Sequence, residues 1–66
     1  MNNLASERVR IGATQEDVAE QIGVSKQSIS LWEQGKAEMG SESLRKLSVL
    51  FGCSADYLLG IKEERK

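Results

Sequence analysis

An all-α fold is predicted for this chain, and three observations predict it. Sixty-six residues can bury only a small core, so the architecture must be simple and largely local. The sequence has no Pro and no stretch of strand-type alternation. Apolar residues instead recur at three- and four-residue spacings, in short runs that end near glycines. The expectation is a compact five-helix bundle forming one domain over residues 1–60, with a charged tail over 61–66.

The first helix is capped by Asn2 or Asn3 and runs to about Ile11, with Gly12 ending it. Leu4, Arg8 and Ile11 share one face at spacings of four and three. An arginine on an apolar face needs a partner.

The second helix opens on Thr14. Its hydroxyl can cap the first turn, with Asp17 placed three residues on as in a capping box. Val18, Ala19 and Ile22 give this helix its apolar side. Ala19 is small where two helices must cross closely. Gln15 is the first helical residue, where free N–H groups and the helix dipole favour an anion. Glu16 and Asp17 suit that dipole but repel phosphate, so they should point aside.

Gly23 can end the helix in the left-handed conformation, and Ser25 caps a third helix from about Lys26 to Gln34. Ile29, Trp32 and Glu33 point inward. Lys26, Gln27, Ser30 and Gln34 fall on the other side. Solvated helix faces are usually covered by Glu and Lys pairs. Gln, Ser and one Lys near the helix start suit base edges in a DNA major groove: Gln can bond adenine at N6 and N7, and Lys can reach guanine O6 and N7. An ordinary solvated face is the plainer reading of the composition alone. The order helix, glycine turn, capped helix favours the first.

This stretch resembles the lambda repressor and Cro-type helix-turn-helix family, also called the xenobiotic-response-element family. The matching residues are Arg8, Thr14-Gln15-Glu16, Val18-Ala19, Ile22-Gly23-Val24-Ser25, Ser28-Ile29-Ser30, Trp32-Glu33 and Gly35-Lys36. Leu47, Leu50-Phe51-Gly52 and Asp56-Tyr57-Leu58-Leu59-Gly60 continue the match. The resemblance implies a small bacterial or phage transcriptional regulator, acting as a repressor, with the third helix in the major groove. It implies base reading by Lys26, Gln27 and Ser30. Backbone phosphates would be held by Gln15, Ser25, Ser28, Gln34 and Lys36, with N–H groups near Lys36 as further candidates. It also implies a partly buried ion pair between Arg8 and Glu33. The partner would be a pseudo-palindromic double-stranded operator met by a homodimer. The same fold also serves as a protein-interaction module, such as an antitoxin or adaptor.

Leu31 departs from relatives that carry a polar residue there. It either contacts a thymine methyl or covers the edge of the core, and the second is the preferred reading. Trp32, at three residues from Ile29, belongs to the core. Lys36 is the single basic residue of the loop from Gly35 to Gly40, and Glu38 is acidic. The grip on phosphate should therefore be weak for the family.

Ser41 or Ser43 caps a fourth helix reaching about Phe51, with Leu44, Leu47, Leu50 and Phe51 as its apolar stripe. Arg45 and Lys46 lie off the stripe and are most simply solvated. Ser54 caps a fifth helix containing Tyr57, Leu58 and Leu59 and closed by Gly60. Ile61 to Lys66 should fray. Leu59 and Ile61 form a candidate dimer surface.

Nine basic and ten acidic residues give a net charge of −1, so non-specific attraction to a polyanion is weak and base contacts or dimerisation must add affinity. The chain has one Cys and no His, which excludes an intrachain disulfide and leaves no Cys-His pair or His-based metal site. Cys53 reads as a small buried filler. With no paired-carboxylate motif, no Gly-rich phosphate loop and little chain for a pocket, no enzyme, no cofactor and no small-molecule ligand is expected. No apolar run is long enough for a signal peptide or membrane span, which predicts a cytoplasmic protein.

Overall fold

Thr14, Ser25 and Ser54 each start a helix by the same local device. In each, the side-chain oxygen accepts the N–H three residues on, from Asp17, Ser28 and Tyr57 respectively. The computed structural model describes residues 1–66. Five helices follow one another: α1 Leu4–Arg10, α2 Gln15–Ile22, α3 Lys26–Glu33, α4 Ser41–Phe51 and α5 Ala55–Leu59. They enclose one core containing Leu4, Val18, Ala19, Ile22, Ile29, Trp32, Leu47, Phe51, Cys53 and Leu58. Ala13, Val24, Met39, Leu44, Leu50 and Tyr57 pack around its edge. Leu4, Val18, Ile29, Leu47 and Leu58, one from each helix, are fully buried. Each element therefore gives the core at least one side chain out of water, worth about 1.5–3 kcal/mol apiece.

Three boundaries differ from expectation. Helix α1 stops at Arg10, and Ile11 is 41% exposed, so it does not continue the Leu4 face. No asparagine side chain caps α1 in the expected way. The Asn2 carboxamide accepts the Leu4 N–H and donates to the Trp32 carbonyl at 2.7 Å, and Asn3 donates to the Tyr57 carbonyl at 2.7 Å. These two side chains fasten the start of α1 to α3 and α5. At α4 the N-cap is Gly40, with no side-chain cap. Ser41 is the first helical residue, and the Gly40 carbonyl receives the Leu44 N–H.

Two charged groups expected in solvent are engaged. Lys46 reaches the Ile22 carbonyl at 3.5 Å, at the negative end of α2. The last segment folds back onto the core. Arg65 Nη2 donates to Glu7 at 2.8 Å and to the Phe51 carbonyl at 2.9 Å, and the Arg65 carbonyl receives the Ser54 N–H at 2.6 Å. Glu7 is only 2% exposed and also accepts from Arg10 at 3.0 Å. The Arg65 guanidinium, and then Arg10, hold the Glu7 carboxyl below the usual glutamate range against the opposing effect of burial. Burial and the nearby Glu7 carboxylate push the Cys53 thiol up, so it stays a neutral filler. Gly60 closes α5 at φ 82°, where an added Cβ would also run into the Met1 carbonyl.

Candidate nucleic-acid interface

The positions of α2 and α3 are set by caps at their starts and a left-handed glycine between them. Thr14 and Asp17 complete a reciprocal capping box, both bonds 3.0 Å. Those bonds hold the Asp17 carboxyl below its ordinary range and commit its charge to the Thr14 N–H. Gly23, at φ 75°, returns its N–H to the Ala19 carbonyl and turns the chain into α3. Ala19 of α2 and Ile29 of α3 are both buried in the shared core.

Glu33 then locks α3 to the rest. It accepts from Arg8 Nε at 2.7 Å, from Arg8 Nη2 at 3.4 Å and from Gln15 Nε2 at 3.0 Å. Arg8 also donates to the Ala13 carbonyl at 2.9 Å. One carboxylate thus joins α1, α2 and α3, with the Arg8 and Glu33 side chains 19% and 9% exposed.

The opposite side of α3 is open. Lys26 and Gln27 are exposed. Ser30 is half-buried and accepts from Gln34 Nε2 at 2.8 Å, so those two side chains present one linked donor-acceptor group. The hydroxyls of Ser25 and Ser28 stand 3.1 Å apart, and Ser25 also caps the helix, so both are partly committed within the turn. Lys36 is exposed. The N–H groups beside it are not free: Gly35 donates to Trp32 and Lys36 to Leu31, closing the helix end. They drop out as anion donors.

Arg8, Gln15 and Lys26 border a shallow concavity at the start of α2. Asp17 and Val18 donate to Thr14, which leaves the Gln15 and Glu16 N–H groups at the open end of the helix. Glu16 is exposed and borders the same concavity. Sequence reasoning gave little weight to Leu31, which is 42% exposed on the outer side of α3. Its apolar character suggested the core edge; its place on the helical wheel, beside Gln27, was the available contrary signal. No three Cys, Asp or Glu side chains are placed to share a metal ion.

The Helix-turn-helix family profile matches residues 4–58, most of the chain. The chain belongs to the lambda repressor and Cro-type helix-turn-helix family. Among solved members, it is similar to the P22 c2 repressor protein, whose crystal structure holds a synthetic operator. That likeness has a TM-score of 0.83 and 34% identity, and covers 89% of each chain. Among curated members, it is 46% identical over 50 residues to the HTH-type transcriptional activator BcrR of Enterococcus faecalis, covering 76% of this chain and 24% of that protein. It is 35% identical over 63 residues to the HTH-type transcriptional regulator ImmR of Bacillus subtilis (strain 168), covering 96% of this chain and 50% of that protein. The chain therefore spans a quarter to a half of the length of these two curated family members. No helix is long and apolar enough to cross a membrane.

Proposed function

We propose that this chain binds a specific double-stranded DNA site as the DNA-binding domain of a bacterial or phage transcriptional regulator, acting in the cytoplasm without catalysing a reaction. Residues 1–60 form the reading domain, and 61–66 brace it. The single observation that carries this reading is the unobstructed outer side of α3, where Lys26 and Gln27 are exposed while Glu33 fixes the helix from behind. In the proposed complex α3 enters the major groove with its N-terminus leading. Gln27, Lys26 and Ser30 meet base edges. Gln15, Ser25, Ser28, Gln34 and Lys36 lie toward phosphates, which position the helix without specifying sequence.

The likeness to an operator-bound repressor supports repression as the outcome, by occupation of the site. A homodimer would set two copies of α3 about one DNA turn apart, roughly 34–36 Å, on a pseudo-palindrome. The exposed Leu59 and Ile61, 37% and 74% accessible, supply apolar surface for that pairing. Doubling the module offsets the sparse phosphate grip through effective concentration.

Selection of binding sites from random duplex DNA in moderate salt tests the proposal, because it returns half-site sequence and spacing together. Enrichment of a two-fold repeat is expected. On the selected site, Gln27→Ala should lose about 1–3 kcal/mol of discrimination at one base pair, read by fluorescence anisotropy. Equal losses on the selected site and on random duplex would remove Gln27 from the base-reading set. Failure to enrich any sequence, with tight capture of a protein, would favour an interaction module instead.

A further inference from the structure

Helices α2 and α4 leave a groove of about 390 Å³ between them, lined by Gln21, Ile22, Arg45, Lys46, Val49 and Leu50. None of these six belongs to the DNA-reading side or to the Leu59 and Ile61 surface. Ile22 is buried and Leu50 half-buried, so the floor is apolar. Val49 is 79% exposed and adds nothing to the core that α4 supplies through Leu44, Leu47 and Phe51. A β-branched residue is also a poor helix former. Neither the core nor the helix accounts for a valine there. Arg45 and Lys46 stand one turn before Val49 and Leu50, and residues three or four apart on a helix are surface neighbours. Both cations are exposed. Arg8, Arg10 and Arg65 are paired with carboxylates, whereas Arg45 and Lys46 are not; Glu42, one turn earlier, and Glu20 on α2 pair with neither. Lys46 instead crosses to the Ile22 carbonyl at 3.5 Å, which holds its charge over the groove. An apolar floor thus lies beside two cations without a counter-charge, in a chain whose net charge is −1.

We propose that this groove docks an acidic amphipathic helix of a partner protein. The apolar side chains of that helix cover Ile22, Val49 and Leu50. Its carboxylates, about one turn or roughly 6 Å further along, meet Arg45 and Lys46. The two halves of the site together disfavour other occupants. A nucleic-acid backbone supplies charge but no apolar surface for Val49 and Leu50. An uncharged apolar segment would cover Arg45 and Lys46 without giving them partners. An anionic bilayer needs a wider apolar face than one exposed valine. A second copy pairing through this same face would set the two cations against their own equivalents.

The test selects displayed random peptides of about 16 residues, four to five helical turns, on the intact chain. Enrichment is expected for sequences with Asp or Glu three or four residues from Leu, Ile or Phe. An enriched peptide should shift the amide resonances of Ile22, Lys46 and Val49. Val49→Ser and Arg45→Gln should each weaken it about tenfold, the loss of one hot-spot contact, with thermal melting to establish that both variants fold. Exchanging the peptide carboxylates for amides should weaken binding to the wild type and change binding to Arg45→Gln little. Enriched peptides without that pattern, or peptides that bind both variants as tightly as the wild type, would overturn the proposal. A library that enriches nothing would overturn it too, and shifts at the same residues on adding random duplex DNA or phosphatidylglycerol vesicles would then identify the occupant.

Discussion

Arg8 sits on the inner side of α1 because its guanidinium finds acceptors there: two Glu33 oxygens and the Ala13 carbonyl. Removing it leaves Glu33 half-buried with Gln15 as its remaining donor. Arg8→Ala is expected to cost about 1.5–3 kcal/mol, the range for hydrogen bonds to charged groups, measured by urea denaturation. A loss within about 0.5 kcal/mol, that of an ordinary surface substitution, would contradict the linkage. Lysine should rescue poorly, since an ammonium cannot span both carboxylate oxygens in a planar fork. The sequence announced this contact through two charges at apolar-looking positions. Gln15, which the resemblance places at a phosphate, also braces α3 through its bond to Glu33.

Helices α2 and α3 act as one element, joined by the Gly23 turn and by a shared core that holds Ala19 and Ile29. Ala19→Leu should overpack that core, at a cost of about 1–3 kcal/mol, and tilt the reading side of α3. Melting and anisotropy on a selected duplex check this together. A variant as stable and as tightly bound as the wild type would show that this part of the core tolerates more volume than its burial implies. These two helices were legible in the sequence because their start and stop signals are local. Thr14, Ser25 and Gly23 act within four residues of themselves. The start of α4 was less legible. Ser41 and Ser43 both resemble caps, but the extended backbone at Gly40 places the boundary one residue before Ser41.

In the molecule as a whole, Glu7 joins the first helix to the last segment through Arg65, 58 residues away. Such a pairing has no local signature, which is why the tail read as frayed. Because the folded Glu7 carboxyl titrates below its unfolded range, its contribution is fully present above about pH 4.3, the unfolded value. It is lost as pH falls through the lower, folded value. Glu7→Gln is therefore expected to cost about 1.5–3 kcal/mol at neutral pH, and the gap to the wild type should shrink as pH drops below about 4. Urea denaturation across that range gives the result; a gap independent of pH would contradict a charge-based latch. For the molecule as a DNA reader, the decisive experiment is to titrate the selected duplex into isotopically labelled protein and map the backbone amide shifts. The largest shifts should fall on residues 25–31 and the first turn of α2, with α4 and α5 little changed by the duplex itself. Shifts centred on α4 and α5, with the outer side of α3 silent, would contradict the placement of α3 in the groove.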